Sequence, residues 1–175
     1  MPTEDYGKVE ITYDMLADRG KRFANNFIDY ILYILLTIGI ALLGNWLYDV
    51  YGFKGLAVGD LTSLEEHPFR FNILQFFVSI IFYGLFESIS SRTPAKYITG
   101  TIVVMRDGTK PDSTAILIRT LCRQIPLEAF SFLFGQFAIG WHDTLSKTLV
   151  VDSTKYNFAL KRKENLETIT EEEAN

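Results

Sequence analysis

Residues 30–48 read YILYILLTIGIALLGNWLY, nineteen residues without a formal charge. Crossing the hydrocarbon core of a bilayer takes roughly twenty apolar residues in a helix. The stretch therefore predicts a membrane-spanning helix, running from about Lys21 to about Val50. Asp29 stands immediately before it and Arg22 two helical turns earlier. A carboxylate at the bilayer centre costs about 2.5–3.5 kcal/mol on insertion scales. Asp29 is therefore expected to face protein, water or a counter-charge.

Working outward, a second apolar segment covers residues 69–90, with a charge-free core from Phe71 to Phe86. Arg70 and Glu87 lie near its ends, where long side chains reach headgroups or water. The intervening loop, 51–68, is acidic and rich in turn formers: Gly52, Gly55, Gly59, Asp60, Glu65 and Glu66. After the second segment, Ser90-Ser-Arg-Thr-Pro-Ala-Lys96 breaks the helix. Thr101-Ile-Val-Val-Met105 alternates weakly and meets Asp107-Gly108, a hairpin-type signal. Ser113 is a plausible N-cap for a third helix carrying Arg119 and Arg123, which are four apart and share a face. Pro126 ends that helix, and an aromatic, glycine-rich run leads to His142-Asp143. In the N-terminal arm, Val9, Ile11 and Tyr13 alternate with polar residues, a weak strand signal.

The length of 175 residues fits one domain. Three parts are expected: a polar arm over 1–20, a transmembrane domain over 21–151, and a charged tail over 152–175. The net charge of −4 conceals an asymmetry, because acids gather at the chain ends and bases beside the apolar segments. No basic block marks a nucleic-acid partner. A single cysteine, Cys122, excludes an intrachain disulfide and a cysteine-only metal site; no metal or cofactor is expected. The first twenty residues show no apolar run of the signal-peptide kind, so the first apolar segment is expected to act as an uncleaved insertion signal.

Lysine and arginine placement sets the expected orientation. Arg19, Lys21 and Arg22 precede the first segment, and Arg92, Lys96, Arg106 and Lys110 follow the second. Only Lys54 and Arg70 lie between the two. Both termini are thus expected in the cytoplasm, with a bacterial cytoplasmic membrane the expected location. Residues 113–141 are too few for two full crossings. They are read as an amphipathic helix and a re-entrant segment, against the alternative of one full third span with an external tail. The fold class is then all-α integral membrane: two full transmembrane helices, a third amphipathic or re-entrant region, and a short cytoplasmic β-hairpin between helices 2 and 3.

On this topology the charges gather in the cytoplasmic half: Arg22, Asp29, Glu87, Arg119, Arg123, Glu128, His142 and Asp143. A cavity open to the cytoplasm fits this distribution. A structural reading stands beside it, with Arg22 as a membrane-surface anchor, Asp29 as a helix-packing partner, Glu87 as an interfacial residue and His142 as a hydrogen-bonding residue.

Arg22-Phe-Ala-Asn-Asn-Phe-Ile-Asp29 resembles the opening of the RDD family of membrane proteins, named for one arginine and two aspartates. Arg92-Thr-Pro-Ala-Lys96, followed by Gly100-Thr-Ile-Val-Val104 and Asp107-Gly108, is similar to that family's Thr-Pro-Gly-Lys loop and hairpin, with Ala95 in place of the usual glycine. Arg119, Arg123, His142-Asp143 and Lys147-Thr-Leu-Val-Val151 complete the likeness, which spans about Lys21 to Val151. It implies that Arg22, Asp29 and Asp143 are the name-giving residues; Glu87, Arg119, Arg123 and His142, gathered by the topology above, are the supporting polar cluster. It also implies a candidate role in transport of a small ligand or in cation–proton exchange. Two or three spans enclose a pathway poorly, so transport calls for a homo-oligomer. The rival expectation is a non-transporting scaffold or accessory subunit that binds partner membrane proteins. The expected partners are the lipid bilayer, further copies or other membrane proteins, and a monovalent cation or proton. An enzyme is not expected, since no nucleophile–base pair, metal spacing or phosphate loop is present.

The strongest expectation is that Arg22, Asp29 and Asp143 meet and neutralise one another at the cytoplasmic end. Arg22 and Asp29 are seven residues apart, which returns them to nearly the same helical face, about 10.5 Å apart along the axis.

Overall fold

Helix α1 (Arg19–Tyr51) begins where the Asp18 side chain accepts a hydrogen bond from Lys21 N at 2.9 Å. It ends at Gly52, whose left-handed φ of 69° turns the chain out of the helix. Its 33 residues span about 50 Å. Helix α2 (Pro68–Ser90) follows. The computed structural model describes residues 7–52, 68–125, 128–133 and 137–173. The acidic loop 53–67 and the turn at Pro126 lie outside the described residues.

Both long helices are apolar on the outside. The buried positions of α1 are Arg22, Asn25, Asp29, Thr37, Ala41 and Gly44, spaced close to helical repeats and all polar or small. Phe27, Leu35, Leu42 and Trp46 are more than half exposed. This reverses the pattern of a helix in a water-soluble protein, where the apolar stripe faces the core. Small and polar residues at helix contacts, with bulky apolar ones outside, suit a lipid environment. The most apolar stretches of α1 and α2 have mean hydropathies of 2.1 and 1.7, with only 22% and 28% of their residues buried. Core helices of a soluble domain would be mostly covered. Length and composition therefore fit two membrane spans.

The chain re-enters the polar end after α2. Ser91, with φ of 54°, makes the corner. Thr93 then caps a short helix, α3 (Pro94–Thr99), with Pro94 at its first position, where a missing N–H costs nothing. Strand β1 (Thr101–Met105) follows, then the turn at Asp107-Gly108. A side chain at residue 108 would meet Val9 O at 2.6 Å, so glycine is required by space as well as by its φ of 82°.

The expected local hairpin does not form. The partner of β1 is β2 (Thr148–Asp152), which arrives about forty residues later and pairs antiparallel, Val103 opposite Val150. After the turn the chain passes instead to α4 (Ser113–Cys122), capped by Asp112, one residue before the expected Ser113. A 3-10 segment (Glu128–Leu133) and helix α5 (Trp141–Ser146) intervene before β2. At 10 residues, α4 is about 15 Å long, well short of a crossing. It buries Arg119 and exposes Leu117, Ile118 and Leu121, an amphipathic arrangement.

Alternation along the sheet divides it cleanly. Ile102, Val104 and Val151 pack with Tyr156, flanked by Ile11, Leu16 and Leu160. Val103 and Val150 point the other way, with Ala17. Among its described residues the N-terminal arm forms no strand: it crosses this layer with a bridge, Leu16 to Val151, and a 3-10 turn at Tyr13–Met15. The tail is a helix, α6 (Ser153–Glu173). Its start docks through Tyr156, whose hydroxyl donates to Gly108 O at 2.6 Å, and Lys163 Nζ reaches Lys8 O at 2.7 Å. Arm and tail therefore lie against the same sheet.

Candidate functional site

The buried charges meet where α1 begins, α2 ends and α3, α4 and α5 converge. Glu87, three residues from the end of α2, is fully buried and serves three cations. Its Oε1 accepts from Lys96 Nζ at 3.1 Å and Arg123 Nη2 at 3.0 Å, and its Oε2 from Arg119 Nε at 2.9 Å. Arg119 and Arg123 reach the same carboxylate because their spacing of four puts them on one face of the α4 end.

Asp143, in the first turn of α5, is the second hub. Its Oδ2 accepts from Arg22 Nη2 and from Gly140 N, the latter at 2.9 Å. Its Oδ1 accepts from Arg119 Nη1 and faces His142 Nε2 at 3.2 Å. Arg119 also donates to Thr148 Oγ1 at 2.9 Å, tying the network to β2. Arg119 thus bridges the two hubs. His142 Nδ1 faces Glu128 Oε1. Its Nε2 lies between the Asp143 carboxylate and Arg22 Nη2, the latter at 3.5 Å.

Asp29 is placed apart. Its Oδ2 accepts from the Thr93 hydroxyl and its Oδ1 from Ala95 N at 3.0 Å. It therefore completes the first turn of α3, taking up an N–H that a helix start leaves unpaired. Thr93 in turn accepts from Lys96 Nζ at 3.1 Å, so a hydroxyl and an ammonium connect Asp29 to Glu87. The expected neutralisation of Asp29 by Arg22 is corrected by this geometry: among the described residues no ion pair joins them. Arg22 instead turns to Asp143, and Asn25, between them in sequence, donates to Thr101 Oγ1 at 3.0 Å. Seven residues along a helix share a face but differ in depth, and depth decided the partners.

The buried carboxylates Asp29, Glu87, Glu128 and Asp143 are interleaved with the cations Arg22, Arg92, Lys96, Arg119 and Arg123. Burial opposes ionisation of Asp143, but Arg22, His142 and Arg119 outweigh it and hold the carboxyl well below its ordinary range. Burial likewise opposes the Glu128 charge, and the hydrogen bond from His142 reverses the balance to lower its pKa. Burial also presses the Lys96 ammonium downward, against the attraction of Glu87.

Of the sequence-derived candidates, Arg22, Glu87, Arg119, Arg123, His142 and Asp143 enter one connected network, and Asp29 joins through Thr93. Glu128, counted among the gathered charges, belongs to it as well, as do Lys96, Thr93 and Thr148, which were not candidates. Lys96 carried a signal: it stands one turn beyond the Thr93-Pro94 helix start. Thr148 carried none, because its role comes from a strand pairing across forty residues. Among the described residues no group of three His, Cys, Asp or Glu side chains is arranged to hold a metal.

The polar end contains every motif on which the family likeness rests. Searches of curated proteins and of solved structures found no match to this chain. The sequence profile of the RDD family matches residues 16–150, which takes in α1 through β2 and both ends of the Arg22–Asp143 pair, and the chain accordingly belongs to the RDD family.

Proposed function

We propose that this protein is a multi-pass RDD membrane protein whose charged end is a locking scaffold. It serves as an accessory or anchoring subunit for partner membrane proteins, without enzymatic activity of its own. Helices α1 and α2 cross the bilayer, α4 lies along the inner surface, and both termini face the cytoplasm of a bacterial cell. The positive-inside distribution supports that orientation, and the shared docking of arm and tail on one sheet supports termini on one side.

The observation that carries the scaffold reading is charge saturation. Glu87 holds three cations and Asp143 two guanidiniums. A carboxylate that exchanges protons for cations needs a proton affinity near the working pH. Asp143 and Glu128 are pushed away from that range.

One observation favours a second reading. Among the described residues Asp29 is a buried carboxylate held by neutral donors, Thr93 and Ala95. Cation–proton exchange, in a homo-oligomer that encloses a pathway, would run through it. The deciding measurement is sodium-dependent proton flux in proteoliposomes containing only this protein. The scaffold reading expects no flux above protein-free vesicles. Flux that disappears in a folded Asp29→Asn variant establishes exchange instead. Retention in the pellet after carbonate extraction tests the bilayer assignment itself; release into the supernatant overturns it.

A further inference from the structure

A cleft of about 600 Å³ opens on the side of the molecule between α1, α2 and the segment after α4. That volume lies within the roughly 300–1,000 Å³ of small-molecule sites. Its mouth is aromatic: Phe23, Phe27, Tyr30 and Phe130 are each about half exposed. These rings belong to the same outward apolar surface as Ile31 and Leu35, so the opening is lateral, toward whatever covers α1.

The inner wall is polar. Arg123 lies there, its side chain only 9% exposed, stacked over the Tyr83 ring at 4.3 Å. Its guanidinium has five donor hydrogens. Among the described residues only Nη2 has a hydrogen-bond partner, Glu87, while Nε is buried with none. The Tyr83 hydroxyl, also on this wall, makes no hydrogen bond to a described residue. The wall also carries Glu128, whose carboxylate is engaged by His142, so it is the donor-rich guanidinium and not net charge that calls for an acceptor. A donor without an acceptor is costly once water is excluded; Nη1 and the Tyr83 hydroxyl, neither of them among the fully enclosed unpaired atoms, are the donors an oxygen-bearing ligand would meet.

We propose that this cleft holds a membrane phospholipid. Its phosphate or glycerol-ester oxygens accept from Arg123 and the Tyr83 hydroxyl, and the start of one acyl chain lies among Phe23, Phe27 and Phe130. The aromatic mouth selects an amphiphile over a soluble anion, and the guanidinium selects an acceptor headgroup. The inference rests on the bilayer assignment and goes beyond the scaffold role, since it adds a ligand.

The test uses the full chain in phosphatidylethanolamine–phosphatidylglycerol vesicles doped with a phospholipid bearing a photoactivatable acyl chain, with labelled residues located by mass spectrometry. Labelling is expected to concentrate at Phe23, Phe27 and Phe130 over Leu42 and Leu43 farther along α1. Tyr83→Phe keeps the ring over Arg123 and should lower labelling at the mouth about fivefold, the effect of one hydrogen bond. Arg123→Gln should lower it further; if that variant does not fold, Tyr83→Phe decides alone. Even labelling along α1, or unchanged labelling in folded Tyr83→Phe, overturns the lipid site. Loss of mouth labelling on adding inorganic phosphate also overturns it, in favour of a soluble anion. An absence of labelling anywhere on α1 overturns the bilayer assignment instead.

Discussion

The two ends of α1 bury the same face with opposite chemistry. Near its start, Arg22, Asn25 and Asp29 face inward and each finds a specific polar partner; farther along, Thr37, Ala41 and Gly44 face inward with no charge at all. One end is held by directional, long-range ion pairs. The other relies on close approach of small residues, with Thr37 returning its hydroxyl to Tyr33 O at 2.9 Å. In hydrocarbon there is no hydrophobic drive between helices. A charged end that can only be satisfied one way therefore supplies the specificity that an apolar contact cannot. We regard this as the organising role of the network.

The difference between the ends makes graded predictions. Asp143→Asn should be the most damaging change. It leaves Arg22 buried without a counter-charge and takes one of two from Arg119, a loss of about 3–5 kcal/mol. Thermal unfolding in detergent measures it; a shift no larger than that of a surface substitution would remove Asp143 as a hub.

Acid probes the same end without mutation. The pKa values of Asp143 and Glu128 are lowered in the folded state from ordinary values of 3.8 and 4.5. Their stabilisation is present above those values and is lost as pH falls through the lower folded-state values. The melting temperature should therefore be insensitive to these groups between pH 7 and 5 and fall below about pH 4.5. In Asp143→Asn the acid slope should be shallower; an unchanged slope would mean that other carboxylates govern acid unfolding.

At the uncharged end, Ala41→Leu forces bulk into a fully buried position, at about 1–3 kcal/mol. A neutral outcome would show that α1 has no fixed neighbour there.

Asp29→Asn should be milder still, about 1 kcal/mol, because it removes a cap-like acceptor and no ion-pair partner. Exchanging charges, Arg22→Asp with Asp29→Arg, should fail to restore stability, since the two are not paired. Recovery would reinstate a direct pair.

The smallest effect is expected for Leu42→Ala, beside Ala41 but about half exposed, within roughly 0.5 kcal/mol.

Much of this was legible in the chain itself. The nineteen uncharged residues from Tyr30 to Tyr48 carry their own evidence, because a bilayer's thickness converts directly into residue count. The α2 span and the start of α4 follow from local signals of the same kind. The sheet misled. Thr101–Met105 and the Asp107-Gly108 turn have hairpin chemistry, yet the residues beyond the turn, Thr109 to Asp112, lead into a helix, and the apolar β2 offered a better edge. The charged tail gave no sign of its docking: it is a helix whose start is held by the buried Tyr156.

By itself the sequence determined the two long apolar helices, the amphipathic α4 and the set of charged residues that had to be compensated. It could do so because length, hydropathy and formal charge are properties of local segments. Which charge compensates which was decided only by tertiary structure. Arg22 lies seven residues from Asp29 and 121 from Asp143, and it pairs with the distant one. Ion pairs depend on separation in space to within about 4 Å, and that separation was set by the β1–β2 pairing and the packing of α5 against α4, not by position along the chain.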